Sequence, residues 1–251
     1  KRASDGASRR AALNAARGTE RDMTGSSLRI VSLVPSLTEL LCDLGLRGQL
    51  VGRTGFCVHP AHSLREVPKV GGTKDVDIDK VRALAPTHLV VNVDENEKPT
   101  VDALARFVPN LVVTHPIAVT DNLDLYRRFG ELFDCRDRAG QLAGQLTDAL
   151  ARAASLRLER RDVIYLIWKS PWMTVGPDTY ISKTLATVGL HTLAPQSADR
   201  YPVIDWARFD AGQADSVLLS SEPYRFDQRH CDQLMADPQV GVRDCRLIDG
   251  E

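Results

Sequence analysis

No stretch of this sequence approaches the run of about eighteen apolar residues that a membrane-spanning helix needs, so nothing in it reads as a transmembrane segment. Charge of one sign is missing as well. The 32 Lys and Arg stand against 33 Asp and Glu, a formal net charge of −1, which gives no electrostatic footing for nucleic acid or an anionic membrane as partner. Cysteine is sparse: Cys42, Cys57, Cys135, Cys231 and Cys245 are odd in number and form no CxxC, so neither a disulfide framework nor a zinc ribbon is suggested, and reduced thiols are expected. The motifs of the large enzyme classes are absent too. There is no GxSxG elbow and no dinucleotide fingerprint, and Gly71-Gly72-Thr73-Lys74 has a lysine without the spaced first glycine of a phosphate loop. Cys57 and His59 could be imagined as nucleophile and base, but two residues apart they lack a third, orienting group; no enzyme and no catalytic cofactor is expected. Residues 1 to 22 lack the apolar core of a secretory signal. Rich in Ala, Arg, Ser and Gly with no hydrophobic period, they are read together with the residues up to 27 as a disordered tail, with Met23 as a natural start.

What is present is organised around one long amphipathic stretch. From Arg136 to Arg160, the residues Leu142, Leu146, Leu150, Ala153 and Leu156 recur every three or four positions while Asp148, Arg152, Arg157 and Arg160 fall on other faces, with no proline between. Roughly 24 helical residues span about 36 Å, the width of a lobe. Alternating strands and helices lie on both sides, and 251 residues suffice for two small cores. The expected fold class is α/β: two lobes, each with a central, mostly parallel sheet flanked by helices, joined by one long backbone helix. The expected bounds are a tail over 1–27, an N-terminal lobe over 28–135, the connecting helix over 136–160 and a C-terminal lobe over 161–251. A long surface helix on a single domain is the competing reading.

Along the chain, a β-branched strand over Arg29 to Leu33 precedes Ser36 and Glu39, whose spacing fits a capping box with Ser36 at the N-cap of a helix ending near Gly45. Strands are expected at Leu50 to Arg53 and, as buried strands, at His88 to Asn92 and Asn110 to Thr114. Helices are expected near Ile78 to Leu84, Pro99 to Phe107 and Asn122 to Phe133. GFCVHPAH and VGGTKD read as loops. Beyond the long helix come a strand at Val163 to Trp168, a loop from Ser170 to Pro177, a helix capped by Asp178 or Thr179 and ending at Gly189, a short helix near Asp205 to Phe209, and strands at Ser216 to Ser220 and Cys245 to Ile248. Nothing in Asp249-Gly250-Glu251 caps that last strand, so a final helix is expected to be missing from the second lobe.

At RIVSLVPSLTELL, GRTGFCVHP, VGGTKDVDIDKVRALAPTHLVV, IWKSPWMTVGPDTYI and LLSSEPYRF the sequence resembles the substrate-binding proteins of ABC importers whose two lobes are joined by one backbone helix. That group includes the cobalamin- and iron-siderophore-binding proteins and the helical-backbone metal receptors, and the resemblance runs in order over about residues 28 to 251. It implies capture of a small-molecule metal chelate or corrinoid in the interlobe cleft, an ABC importer permease as partner, a periplasmic location and a monomer. It also implies that Pro35, Ser36, Phe56, Thr73, Asn92, Met173 and the segment from Tyr201 to Val203 line the cleft. Of these positions only Phe56 keeps the aromatic character of the cobalamin binder, while Trp168, Trp172, Tyr180 and Tyr224 could supply a different aromatic wall. The alternative is a cytoplasmic relative of the same fold that binds, stores or senses a transition metal or cofactor, suggested by the missing signal and the odd cysteine count.

Three groups of residues carry candidate chemistry. Cys57-x-His59-x-x-His62 offers a thiolate and two imidazoles, a set suited to zinc or another late transition metal, with His115, His191 and Glu222 after later strands as further candidate ligands. A pocket wall and a plain polar loop are the other readings of that stretch. Trp168 and Trp172 cannot share one regular helical turn across Lys169-Ser170-Pro171, so such a loop exposes at least one indole, as a stacking platform or as packing. Lys74, Lys169 and Arg225 are cations that could neutralise an anionic chelate or simply be solvated. The ligand is thus expected to be a corrinoid, an iron chelate or a transition metal.

Overall fold

The computed structural model of the protein describes residues 28–250, so the expectations for the tail and Met23 lie outside the described residues. The described chain divides into two compact units. One comprises the residues up to Cys42 together with Leu46–Val113, the other Asp43–Gly45 and the chain from Thr114 onward.

The first unit holds a sheet in the order β2-β1-β3-β4, made of β1 (Ile30–Ser32), β2 (Leu50–Arg53), β3 (His88–Asn92) and β4 (Asn110–Thr114), with β1 parallel to both β2 and β3. Alternate side chains Val31, Leu33, Leu89 and Val91 pack on one face with Val81 and Leu104. Ile30, Ser32 and Val90, of the other parity, are buried too, so the strands are covered on both sides as parallel strands require. The covering helices are α1 (Pro35–Asp43), α2 (Ala61–Leu64), α3 (Ile78–Ala83) and α4 (Lys98–Leu104).

The second unit opens with a helical hairpin, α5 (Asp121–Leu132) and α6 (Arg136–Ser155). A Cβ at Gly130 would sit 2.7 Å from the Ala139 methyl, so glycine there is what lets the two helices approach this closely. Next come β5 (Arg161–Trp168), β6 (Met173–Thr174), α7 (Tyr180–Ala186), β7 (Leu190–Thr192), β8 (Ser216–Ser220), α8 (Gln228–Ala236) and β9 (Cys245–Ile248). β5 runs parallel to β7 and β8, β8 parallel to β9, and the short β6 is antiparallel to the end of β5. Along β5 the parity rule is visible: Ile164 and Leu166 enter one core cluster, Val163, Tyr165 and Ile167 the other.

Most of the expected elements are found, and four expectations need correction. The capping box at Ser36 is not formed: Pro35, with its preset φ and missing N–H, takes the first helical position, leaving Ser36 inside the helix. The helix still ends as expected, with Gly45 at φ +82° and the Leu46 N–H bonded to the Leu41 carbonyl at 2.9 Å, a Schellman closure. β4 is not fully buried; it is an edge strand, so Leu111 and Val113 on one parity stay exposed while Val112 and Thr114 are covered. The long helix stops at Ser155, short of Arg160. Leu156 and Leu158 are 63% and 51% exposed, Arg157 turns to φ +46°, and the chain must be extended by Arg161, whose N–H bonds to the Gly189 carbonyl. Asp205 to Phe209 is a single turn, because the Asp205 carbonyl takes the Arg208 and Phe209 N–H groups but Ala211 N–H closes back on Phe209. At the end of β9, Ser221 N–H bonds to the Ile248 carbonyl and Gly250 N–H to the Ser221 hydroxyl. Two helices, α2 and α8, were not expected. α8 is capped by Asp227, whose reciprocal partner at the third position is His230 rather than Glu or Gln, so the usual template passes over it.

Candidate functional site

In an open parallel sheet, ligands bind outside the carboxyl ends of the strands, where successive connections leave a central strand in opposite directions. The first unit has that point between β1 and β3, since β2 lies on one side of β1 and β3 on the other. The second has it between β5 and β8, with β7 on the far side of β5. The loops following these four strands therefore form the candidate site of each unit.

In the first unit these loops are cross-linked by buried polar groups. Arg53, at the end of β2, is only 6% exposed, and its guanidinium donates to the carbonyls of Leu64, Thr54 and Cys57 at 2.9 to 3.3 Å, fixing the whole 54–64 loop from inside. Thr38 donates to the Val34 carbonyl and lies within hydrogen-bond reach of the Ser32 hydroxyl and the Cys57 sulfur; Thr54 meets the same sulfur at 3.1 Å. The Asn96 side-chain amide donates to the carbonyls of Leu33 and Thr73 and accepts from the Asn92 N–H, tying together the loops after β1, β2 and β3. Phe56 is left 62% exposed and lies over Gly72, where a Cβ would come within 3.2 Å of its ring. Gly71, at φ +107°, makes the turn beneath it, and its carbonyl accepts from Gly55 N–H at 2.7 Å.

In the second unit the loops are aromatic. Trp168, which ends β5, is 41% exposed and meets Tyr224 edge to face at 5.4 Å across the gap between β5 and β8. Tyr224 leans on Phe226, 4.6 Å away, and Phe226 stacks on Trp172 with only 5° between planes at 6.0 Å. His230 closes the cluster from α8, edge-on to Tyr224 and Phe226. Lys169 donates to Gln233 at 2.6 Å and stands 5.5 Å over the Trp172 ring. Beneath them the Tyr165 hydroxyl donates to Ser220 at 3.0 Å, joining the ends of β5 and β8; burial pushes that phenol up, with the hydrogen bond working against it.

The candidates from the sequence thus sort by place. Pro35 and Ser36 begin α1, half-buried and exposed; Thr73 and Asn92 are half-buried and held by Asn96 or Asp94; Lys74 is exposed. Cys57 is fully buried against two threonine hydroxyls whereas His59 and His62 are exposed, so this stretch does not converge on one point. Among the described residues no group of three or more His, Cys, Asp or Glu side chains could hold a metal ion. His115 accepts from Arg200 at 3.1 Å, and His191 lies within β7 rather than after it. Trp172 packs on the core cluster, and Trp168 is the exposed indole. Glu222 and Arg225 are exposed beside Tyr224. Met173 bridges Val203 and packs with Tyr201 on the face of the sheet away from Trp172, and Tyr180 turns to α5, accepting from Asn122 at 2.8 Å. Neither joins the Trp168 cluster. Arg53, Thr38, Thr54, Asn96, Phe226 and His230 were missed; a lone arginine ending an apolar strand was the one visible signal. A pocket of about 320 Å³ between Trp206–Gly212 and Gln239–Gly241 is lined by none of the sequence candidates.

Residues 30–241 match the model of the periplasmic binding protein family. A curated relative, the uncharacterized ABC transporter substrate-binding lipoprotein YvrC of Bacillus subtilis (strain 168), is 27% identical over 170 residues, 64% of this chain; the match spans 53%, about half, of the relative's length. Among solved structures, the periplasmic heme-binding protein RhuT from Roseiflexus sp. RS-1 is similar at TM-score 0.76 and 19% identity, covering 89% of this chain and 90% of that one. The periplasmic vitamin B12 binding protein BtuF of Vibrio cholerae is similar at TM-score 0.73 and 15% identity, covering 88% and 87%. At such identities the structural likeness shows the fold. With the family model spanning most of the described residues and both sheets present, the chain belongs to the periplasmic binding protein family.

Proposed function

We propose that this chain is the substrate-binding component of an ABC importer, acts outside the cytoplasm, and captures a flat metal chelate of the tetrapyrrole kind, a heme or a corrinoid. The observation that carries the reading is the exposed Trp168 ring against Tyr224 at the strand-end loops of the second unit. A macrocycle offers a flat apolar face for such a ring, and its carboxylate or amide rim suits the exposed Arg225 beside Tyr224. A bare metal ion is less well supported, since the Cys57 thiol lies in the core. The family and the lipoprotein relative favour the extracytoplasmic reading over a cytoplasmic store. Binding rather than catalysis fits the family, and a permease is the partner this role calls for.

The test is a titration of the purified protein with hemin, cyanocobalamin, a ferric hydroxamate and zinc chloride, read by tryptophan fluorescence and the visible spectrum. A saturable 1:1 complex with hemin or cyanocobalamin, weakened in Trp168→Ala, is expected. Retention of zinc alone after dialysis, or saturable binding of the hydroxamate only, overturns the tetrapyrrole reading.

A further inference from the structure

The five cysteines form no disulfide among the described residues, yet two of them enter the same core cluster. Cys231 sits on α8, 2% exposed, in the core cluster with Leu166, Val217, Leu219 and Leu234. Cys245 opens β9 opposite Val217, half-buried, and packs against that same cluster. Burial first, and a hydrogen bond with the Cys231 thiol second, drive the Cys245 thiol far above its ordinary range. Two thiols packed into one core cluster, on a helix and a strand that lie against each other, are candidates for a disulfide.

We propose that Cys231 and Cys245 are a latent disulfide that staples α8 to β9. What the staple would hold is specific. His230, next to Cys231, edges Tyr224 and Phe226, and Gln233 accepts from Lys169, so α8 backs the aromatic loops. The proposal rests on the extracytoplasmic reading only for where an oxidant would be met, since disulfides persist outside the reducing cytosol. With oxidised glutathione as oxidant the chemistry balances. The more exposed Cys245 gives up its proton and attacks one sulfur of the glutathione disulfide, releasing one glutathione thiol and leaving a mixed disulfide. Cys231 then attacks the Cys245 sulfur, displacing the second glutathione as thiol. Two protein thiols are oxidised to one S–S bond, and one glutathione disulfide is reduced to two thiols. Because the pair is buried and its thiolate disfavoured, closure in the native state should be slow and should occur chiefly while the chain folds.

The test uses the full chain, refolded from the reduced, denatured state with oxidised glutathione, alkylated and digested with trypsin. Cleavage after Arg229, Arg243 and Arg246 places the two cysteines on peptides 230–243 and 244–246. The expected product is that pair joined, lighter by two hydrogen atoms than the sum of the free peptides, in the parent and in a Cys42→Ser, Cys135→Ser variant. Its melting midpoint should rise by about 6 °C or more over the reduced protein, a rise lost in Cys231→Ser and in Cys245→Ser. Both thiols alkylated after refolding, a glutathione adduct persisting on Cys245, or a joined pair with an unchanged midpoint overturns the proposal. None of these readouts involves ligand, so failure here and failure of the binding reading are distinguishable.

Discussion

The two units carry the same winding, with the first strand of each flanked by the next two parallel strands, yet fill their strand-end loops with opposite chemistry. The first unit uses hydrogen bonds: Arg53, Thr38, Thr54 and Asn96 tie carbonyls and a thiol together, leaving one ring, Phe56, standing out. The second uses ring contacts: all three tryptophans gather near Tyr224 and Phe226. A hydrogen-bonded loop is held in one geometry because each lost partner leaves a buried polar group unsatisfied. An aromatic cluster is held by area and by offset contacts that tolerate small shifts. The comparison teaches that one topology can present a fixed ring on one unit and an adaptable wall on the other.

The largest effect that would break this contrast is expected at Arg53. Arg53→Ala removes the guanidinium from three buried carbonyls, of which those of Thr54 and Leu64 keep a backbone N–H donor, and leaves the space of a buried side chain empty; it should cost about 3 kcal/mol or more in urea unfolding. A loss under about 1 kcal/mol would mean that the Phe56 loop holds itself without the guanidinium. Trp172→Ala should cost about 2 to 4 kcal/mol of stability, since the indole stacks on Phe226 and packs on the core. The sharper version of the comparison pairs it with Trp168→Ala. That change should leave the unfolding midpoint nearly unmoved but weaken hemin or cyanocobalamin binding by about 1 to 2 kcal/mol in the dissociation constant; the reverse ordering would place the ligand on the inner indole. Thr179→Ala removes the cap that accepts from Ser182 N–H and should cost about 1 kcal/mol in the same unfolding assay, with binding unchanged.

The smallest expected effect is on acid stability. Asp121 accepts from the N–H groups of Ala118 and Ile117, which hold its carboxyl below the ordinary carboxylate range. A folded-state value below the unfolded one means that the stabilisation is complete above the unfolded value, near 3.8, and is lost as pH falls through the folded one. Thermal midpoints of the parent and Asp121→Asn should therefore converge below about pH 4 and separate above it. A constant gap across that range would assign the effect of Asp121 to something other than its charge.

Much of the strand and helix order was legible because it follows from local rules. Short continuous apolar runs placed β3, β4 and β8, glycine marked the end of α1, and Thr179 announced α7. The errors came where a local signal had a rival. Pro35 displaced Ser36 at a helix start, and pairing of β5 ended α6 before its apolar stripe did. Within the candidate site, the sequence pointed to Phe56, Trp168 and Tyr224 as aromatics in loops, and these are where rings are exposed or half-exposed.

What the sequence determined by itself was most of the order of elements and which loops hold rings and charges, since propensity, periodicity and turn chemistry act over a few residues; the family came by resemblance. Which side of a loop each residue shows was decided only by tertiary structure. Cys57 and His59 are two apart in sequence, yet one is sealed under Thr38 and Thr54 while the other is exposed, and Trp168 and Trp172 divide between surface and core in the same way. Cys231 and Cys245 enter one core cluster for the same reason: burial is set by what packs from elsewhere in the chain, here α8 against β9, and no spacing along the sequence encodes that approach.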